Sequence, residues 1–130
     1  MKFHKDGTWP KDNEIFVFGS NLKGVHGAGA AACAEHMYGV EMGKGQGLIG
    51  QSYAIPTKGW RIETLDIQQI TEYIDKFVSY THSNDTIDDR FFVTRVGCGL
   101  AGFKDSAIAP LFKNAKNCSF AKQWKKYLED

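Results

Sequence analysis

Much of what marks a specialised chain is missing here. Only three of the 130 residues are cysteine (Cys33, Cys98 and Cys118), an odd number with no C-x-x-C pair. That pattern argues against a disulfide framework or a zinc site and fits reduced thiols in the cytoplasm. No apolar run approaches the ~20 residues that span a bilayer. The opening stretch, MKFHKDGTWPKDNE, is polar and has no apolar signal segment. The chain is therefore expected to be cytoplasmic, with no membrane association. Neither sign of charge dominates: 16 basic and 15 acidic residues leave a net charge of +1. That is not the basic profile of a dedicated nucleic-acid binder. No internal repeat or low-complexity tract is present. The length suits a single domain that buries about two thirds of its unfolded surface.

What the chain does have is glycine, 14 of them, concentrated beside apolar runs. Residues 14–19 form an aromatic and β-branched strand, apolar on both faces, as the centre of a covered sheet requires. An alanine-rich helix is expected over residues 28–38, ended by Gly39. Residues 42–50 read as an exposed glycine-rich loop. Residues 52–57 are a second strand that Pro56 should end. A helix is expected from Asp66 to about Thr81, with Ile67, Ile70, Ile74, Phe77 and Val78 on one face. Asp66 and Gln69 suit a capping box, with Leu65 and Ile70 as its staple. A third strand spans residues 90–96, and a short helix lies within residues 105–113. Residues 118–120 suit an edge strand and residues 121–128 a final helix. Alternation of this kind specifies an α/β protein built around a mostly parallel sheet. Ligands of such sheets sit outside the carboxyl ends of the strands. That rule gathers residues 19–29, 57–60 and 97–103 on one rim.

Glycine lets backbone N–H groups approach a ligand, and a turn entering a helix aims them at an anion. "HGAGAAA", residues 26–32, is thus either a phosphate cradle or a tight helix–strand packing surface. Gly27, Gly29 and Ala32 match G-x-G-x-x-A, but a dinucleotide fold would not separate this motif from the strand by residues 20–26. It would also end the second strand on an acid, where this chain has Thr57 and Lys58. Asn21 suits a turn residue or a ribose-binding amide. Phe103 could stack over a ligand or fill the core. Cys98, between two glycines after a strand, has the shape of a nucleophile elbow, with His26 as its nearest candidate base. A small buried or backbone-lining cysteine is the favoured reading. Lys122, Lys125 and Lys126 read as a solvated helix face.

"GSN" followed by "HGAGAA", a strand ending "SYAIPTK" and a strand ending "RVGCGLAGF" resemble a macrodomain, the α/β module that binds ADP-ribose, in forms found in phages and bacteria. The likeness covers most of residues 14–112. It implies a macrodomain-like three-layer α/β/α sandwich with a mostly parallel, mixed central sheet. It also implies that two loops clasp the diphosphate and distal ribose. The residues in those places are Gly19, Ser20, Asn21, His26, Gly27, Ala28 and Gly29, then Gly97, Cys98, Gly99, Leu100, Ala101, Gly102 and Phe103. The partner so implied is ADP-ribose or a related nucleotide, free or carried on an ADP-ribosylated protein or nucleic acid. No metal or other cofactor is called for. The setting implied is a bacterial cell or a phage-infected host. The closest branch of the family hydrolyses ADP-ribosyl linkages, using a lysine that Lys58 matches and an aspartate in the second loop. Ala101 stands where that aspartate is expected, and Asp105 is the nearest acid. A non-catalytic reader or sequestering protein is the alternative.

Overall fold

The computed structural model describes residues 2–26, 30–31, 38–39 and 43–129. One six-stranded sheet contains β1 (Lys2–His4), β2 (Glu14–Asn21), β3 (Gly47–Ile49), β4 (Ser52–Lys58), β5 (Arg90–Val93) and β6 (Cys118–Ala121). Their order is β1-β6-β5-β2-β4-β3, and only β3 runs antiparallel to its neighbour. Besides helical Ala30 and Ala31, the helices among the described residues are α1 (Ile67–Thr81), α2 (Asp105–Ile108) and α3 (Lys125–Leu128), with 3-10 turns at Asn84–Thr86, Ala109–Phe112 and Lys122–Trp124. The protein is thus α/β with a mixed, mostly parallel sheet.

The apolar strand pattern works as expected. Successive side chains of a strand face opposite ways, so β2 feeds two apolar clusters. Val17 packs with Tyr53, Ile55, Phe91 and Val93 beneath α1 and the C-terminal helices. Phe16 and Phe18 join Ala54 and Phe92 on the other face, against Ala31 and Tyr38. Ile70, Ile74 and Phe77 of α1 are fully buried. Each such side chain contributes about 1.5–3 kcal/mol by leaving water. Asp66 accepts from the Gln69 amide while the Gln69 side chain accepts from the Asp66 amide, completing the capping box. Leu65, the staple residue, is buried beside Ile70.

Several expectations need correction. Ile67 is 42% exposed because it opens the first turn of α1, before the helix settles on the sheet. The lead-in contains β1, which pairs in parallel with β6 and makes β6 an interior strand instead of an edge. The loop over residues 42–50 supplies β3, paired antiparallel to β4. Pro56 does not end β4, which runs on to Lys58. β3 pairs only as far as Ala54, so proline's missing N–H deprives no neighbour, and β2 shifts register between Ser20 and Asn21. The third strand stops at Val93, because Thr94 turns both its amide and its hydroxyl onto the Val17 carbonyl. Pro110 sits in the opening turn of the 3-10 segment that follows α2, where it blocks no helical hydrogen bond. Ala30 and Ala31 are helical and Gly39 has a positive φ of 74°. The rest of the expected helix up to residue 37 lies outside the described residues, as do Gly27, Ala28 and Gly29.

Candidate functional site

The chain steps from β2 to β4 on one side, then crosses through α1 to β5 on the other side of β2. Strands diverging in this way leave a crevice beyond their carboxyl ends. A cavity of 740 Å³ opens there, lined by Gly19, Ser20 and Asn21 of β2, by Thr57 and Lys58 of β4, and by residues 94–101 after β5. This is the size of a small-molecule site. Parts of the three rim segments expected from sequence meet here: residues 19–21 and 25, residues 57–58 and residues 97–101. Phe16 and Phe92 also line the cavity, and His4 stacks on Phe92 with ring centroids 3.8 Å apart. Burial holds the His4 imidazole below its ordinary pKa. Exposed Trp9, Val25, Ile62 and Leu100 complete the lining. The interior is therefore apolar and aromatic, and the rim combines glycine and backbone with Lys58, Arg95 and Asp6.

The loop after β2 spends its polar side chains on its own architecture. The Asn21 carboxamide donates to the Val25 carbonyl at 2.8 Å and accepts from the Val25 amide at 3.0 Å, closing the turn. The Ser20 hydroxyl donates to the Gly45 carbonyl. His26 is 1% exposed and does not line the cavity. Its ring lies edge-on to Phe18, with Nε2 2.9 Å from the Lys44 carbonyl, so the expected anion-facing histidine is a packing residue. These bonds draw the segment around Gly43 and Gly45 tightly against the loop. A Cβ on Gly45 would overlap the Asn21 carbonyl, and one on Gly24 would overlap the Gly43 backbone. Glycine is required at both positions by this backbone crossing.

The loop after β5 is a double turn. The Cys98 amide donates to the Arg95 carbonyl at 3.1 Å, the Gly102 amide to Gly99 at 3.0 Å, and the Phe103 amide to Gly97 at 2.9 Å. Gly97 adopts φ 75° and Gly102 φ 82°, which favour glycine. The amides of Gly99, Leu100 and Ala101 find no acceptor among the described residues, and all three residues line the cavity. Gly102 and Phe103 do not line it. Phe103 packs half-buried against the cluster under α1, as the core-filling alternative of its two readings has it.

Lys58 ends β4, half-buried in the cavity wall, with its carbonyl accepting from the Leu22 amide at 2.8 Å. Asp105 lies elsewhere. It is the first residue of α2, whose cap is Lys104, and it is absent from the cavity lining. One oxygen accepts from Arg95 Nε at 2.9 Å and from Trp124 Nε1 at 2.7 Å; the other accepts from Arg95 Nη2 at 2.7 Å. This pairing lowers the Asp105 pKa to about 2, chiefly through the Arg95 hydrogen bonds. A carboxylate so committed is a poor proton carrier near neutral pH. Cys98 lines the cavity, but burial and the neighbouring Asp105 push its thiol up to about 12. With His26 turned to Lys44 and Phe18, the expected Cys98–His26 pair does not form. Arg95, His4, Asp6 and Trp9 line the cavity although nothing in their local sequence marks them. Among the described residues, no group of three His, Cys, Asp or Glu side chains could hold a metal ion, and no helix is long and apolar enough to cross a membrane.

Comparisons with models of known families, with curated proteins and with solved structures find no match to this chain.

Proposed function

We propose that this chain is a macrodomain-like, three-layer α/β/α module that binds ADP-ribose or a related nucleotide without hydrolysing it. The observation that carries the reading is the cavity itself, which joins the carboxyl ends of β2, β4 and β5. Its aromatic interior suits a nucleobase, since flat heterocycles gain from stacking on such rings. The uncommitted amides of residues 99–101 suit an anion such as a diphosphate. Lys58 supplies a cation at the same rim.

Binding without turnover is favoured over hydrolysis by one feature: Asp105, the acid that the sequence offers nearest the second loop, is locked onto Arg95 and Trp124. In this reading the module reads or sequesters ADP-ribose, free or attached to a protein or nucleic acid. The test is calorimetric titration of the protein with ADP-ribose, ADP, AMP, NAD and adenosine, alongside incubation with ADP-ribosylated protein and DNA. Saturable ADP-ribose binding with no release from either substrate is expected. Release that Lys58→Ala abolishes would establish a hydrolase instead.

A further inference from the structure

Arg95 holds a position that neither the loop geometry nor the sequence pattern requires. A guanidinium carries five N–H donors in a rigid plane. Two of them, on Nε and Nη2, are fixed by Asp105 at 2.9 and 2.7 Å. Trp124 grips the same carboxylate, so the plane of the guanidinium is set by the core. The open edge, Nη1, meets Asp6 Oδ2 at 3.4 Å and no other acceptor among the described residues. That contact joins side chains that are 31% and 39% exposed. Exposed single-bond pairs of this kind are worth about 0–1 kcal/mol and yield readily to a better partner. Arg95 and Asp6 both line the cavity, and Arg95 leads directly into the loop whose outer amides have no acceptor among the described residues.

We propose that Arg95 is the residue that selects anionic ligands in this cavity, and that Asp6 occupies its open edge until a ligand phosphate displaces it. The inference rests on the nucleotide-binding reading above and deepens it. Formal charges support it. Among the described residues, Lys58, Arg95 and Asp6 are the Lys, Arg, Asp and Glu side chains that line the cavity, and Asp105 pairs with Arg95 from behind, so these four charges cancel while Asp6 is docked. Swinging Asp6 into water leaves one uncompensated positive charge beside the free amides. A phosphate there gains a guanidinium edge and backbone donors together, the combination that suits phosphate geometry. An uncharged nucleoside gains neither and does not disturb Asp6.

The test uses the full chain and two ligands sharing one base, ADP-ribose and adenosine, in calorimetric titrations at low and at physiological salt. Asp6→Asn removes the competing charge at an exposed position and leaves the Arg95–Asp105 pair untouched. It should tighten ADP-ribose binding about threefold to tenfold, more at low salt, and leave adenosine within about twofold. Arg95→Gln should weaken ADP-ribose at least about tenfold; because it also orphans Asp105, its fold must be checked by circular dichroism, and Asp6→Asn carries the decision. If wild type binds ADP-ribose but Asp6→Asn binds it equally or more weakly, the exchange is refuted and the nucleotide reading stands. If wild type binds adenosine as tightly as ADP-ribose, anion selection is refuted. If it binds neither, the nucleotide reading falls and this inference with it.

Discussion

Replacing Asp105 by asparagine separates a catalytic acid from a structural anchor. The carboxylate accepts three hydrogen bonds, two from Arg95 and one from the indole of fully buried Trp124. Asparagine keeps one acceptor and turns an N–H₂ toward the remaining donors. Hydrogen bonds to charged groups contribute about 1.5–3 kcal/mol each, and a buried donor left unpaired costs about 1–3 kcal/mol. Arg95 is partly solvated and recovers some of this from water. The net loss expected is about 2–3 kcal/mol, a large share of the roughly 5–15 kcal/mol that holds a domain together. At this chain length that lowers Tm by roughly 6–12 °C. Heat or urea denaturation followed by tryptophan fluorescence reads it.

The pH dependence checks the same anchor independently. Folding lowers the Asp105 pKa from 3.8 to about 2. A depressed carboxylate stabilises the fold fully above its unfolded value and loses that contribution as pH falls through its folded value. The shift corresponds to just over ~2 kcal/mol, trimmed by solvent screening to about 1–2 kcal/mol. The gap between wild type and Asp105→Asn should therefore narrow as pH falls from about 4 to about 2. A variant that melts within about 2 °C of wild type at pH 7, yet has lost an ADP-ribosyl hydrolase activity, would refute the anchor and restore the acid.

Two further outcomes follow from the loops. Gly45→Ala forces a methyl onto the Asn21 carbonyl, so it should cost about 1–3 kcal/mol in denaturation and weaken ADP-ribose binding by distorting the β2 loop; full stability would show that the two segments do not cross so closely. Cys98, with its thiol pushed up to about 12, should resist iodoacetamide in the folded protein at pH 7 and label only on unfolding. Rapid labelling of the native protein would reopen a thiolate mechanism.

The parts of this molecule legible in its sequence are those governed by short periodicities. The run Ile15–Phe16–Val17–Phe18 announces a doubly covered strand, and Ile70, Ile74 and Phe77 announce one helix face, because burial repeats with the geometry of each element. The shared rim was legible for the same reason: parallel strands send their following loops to one end of the sheet. β1 escaped because three residues with a single phenylalanine carry no period. β3 escaped because glycine conceals a strand whose pairing is decided by β4. Within the site, residue type left two readings open. Asn21, His26 and Asp105 suit a ligand, but they suit the protein's own carbonyls, amides and guanidinium equally, and only three-dimensional position decides between them. Arg95 and Asp6 meet across 89 positions in the chain, a separation that no local pattern encodes.

The central claim is that the cavity at the ends of β2, β4 and β5 holds a nucleotide carrying a diphosphate. Calorimetric titration of the wild-type protein with ADP-ribose tests it most directly. Saturable one-site binding, weaker for adenosine and weakened further by salt, is the predicted result. A folded protein that gives no heat and no thermal shift with ADP-ribose, ADP or NAD at roughly millimolar concentration, where even weak sites fill, would contradict it.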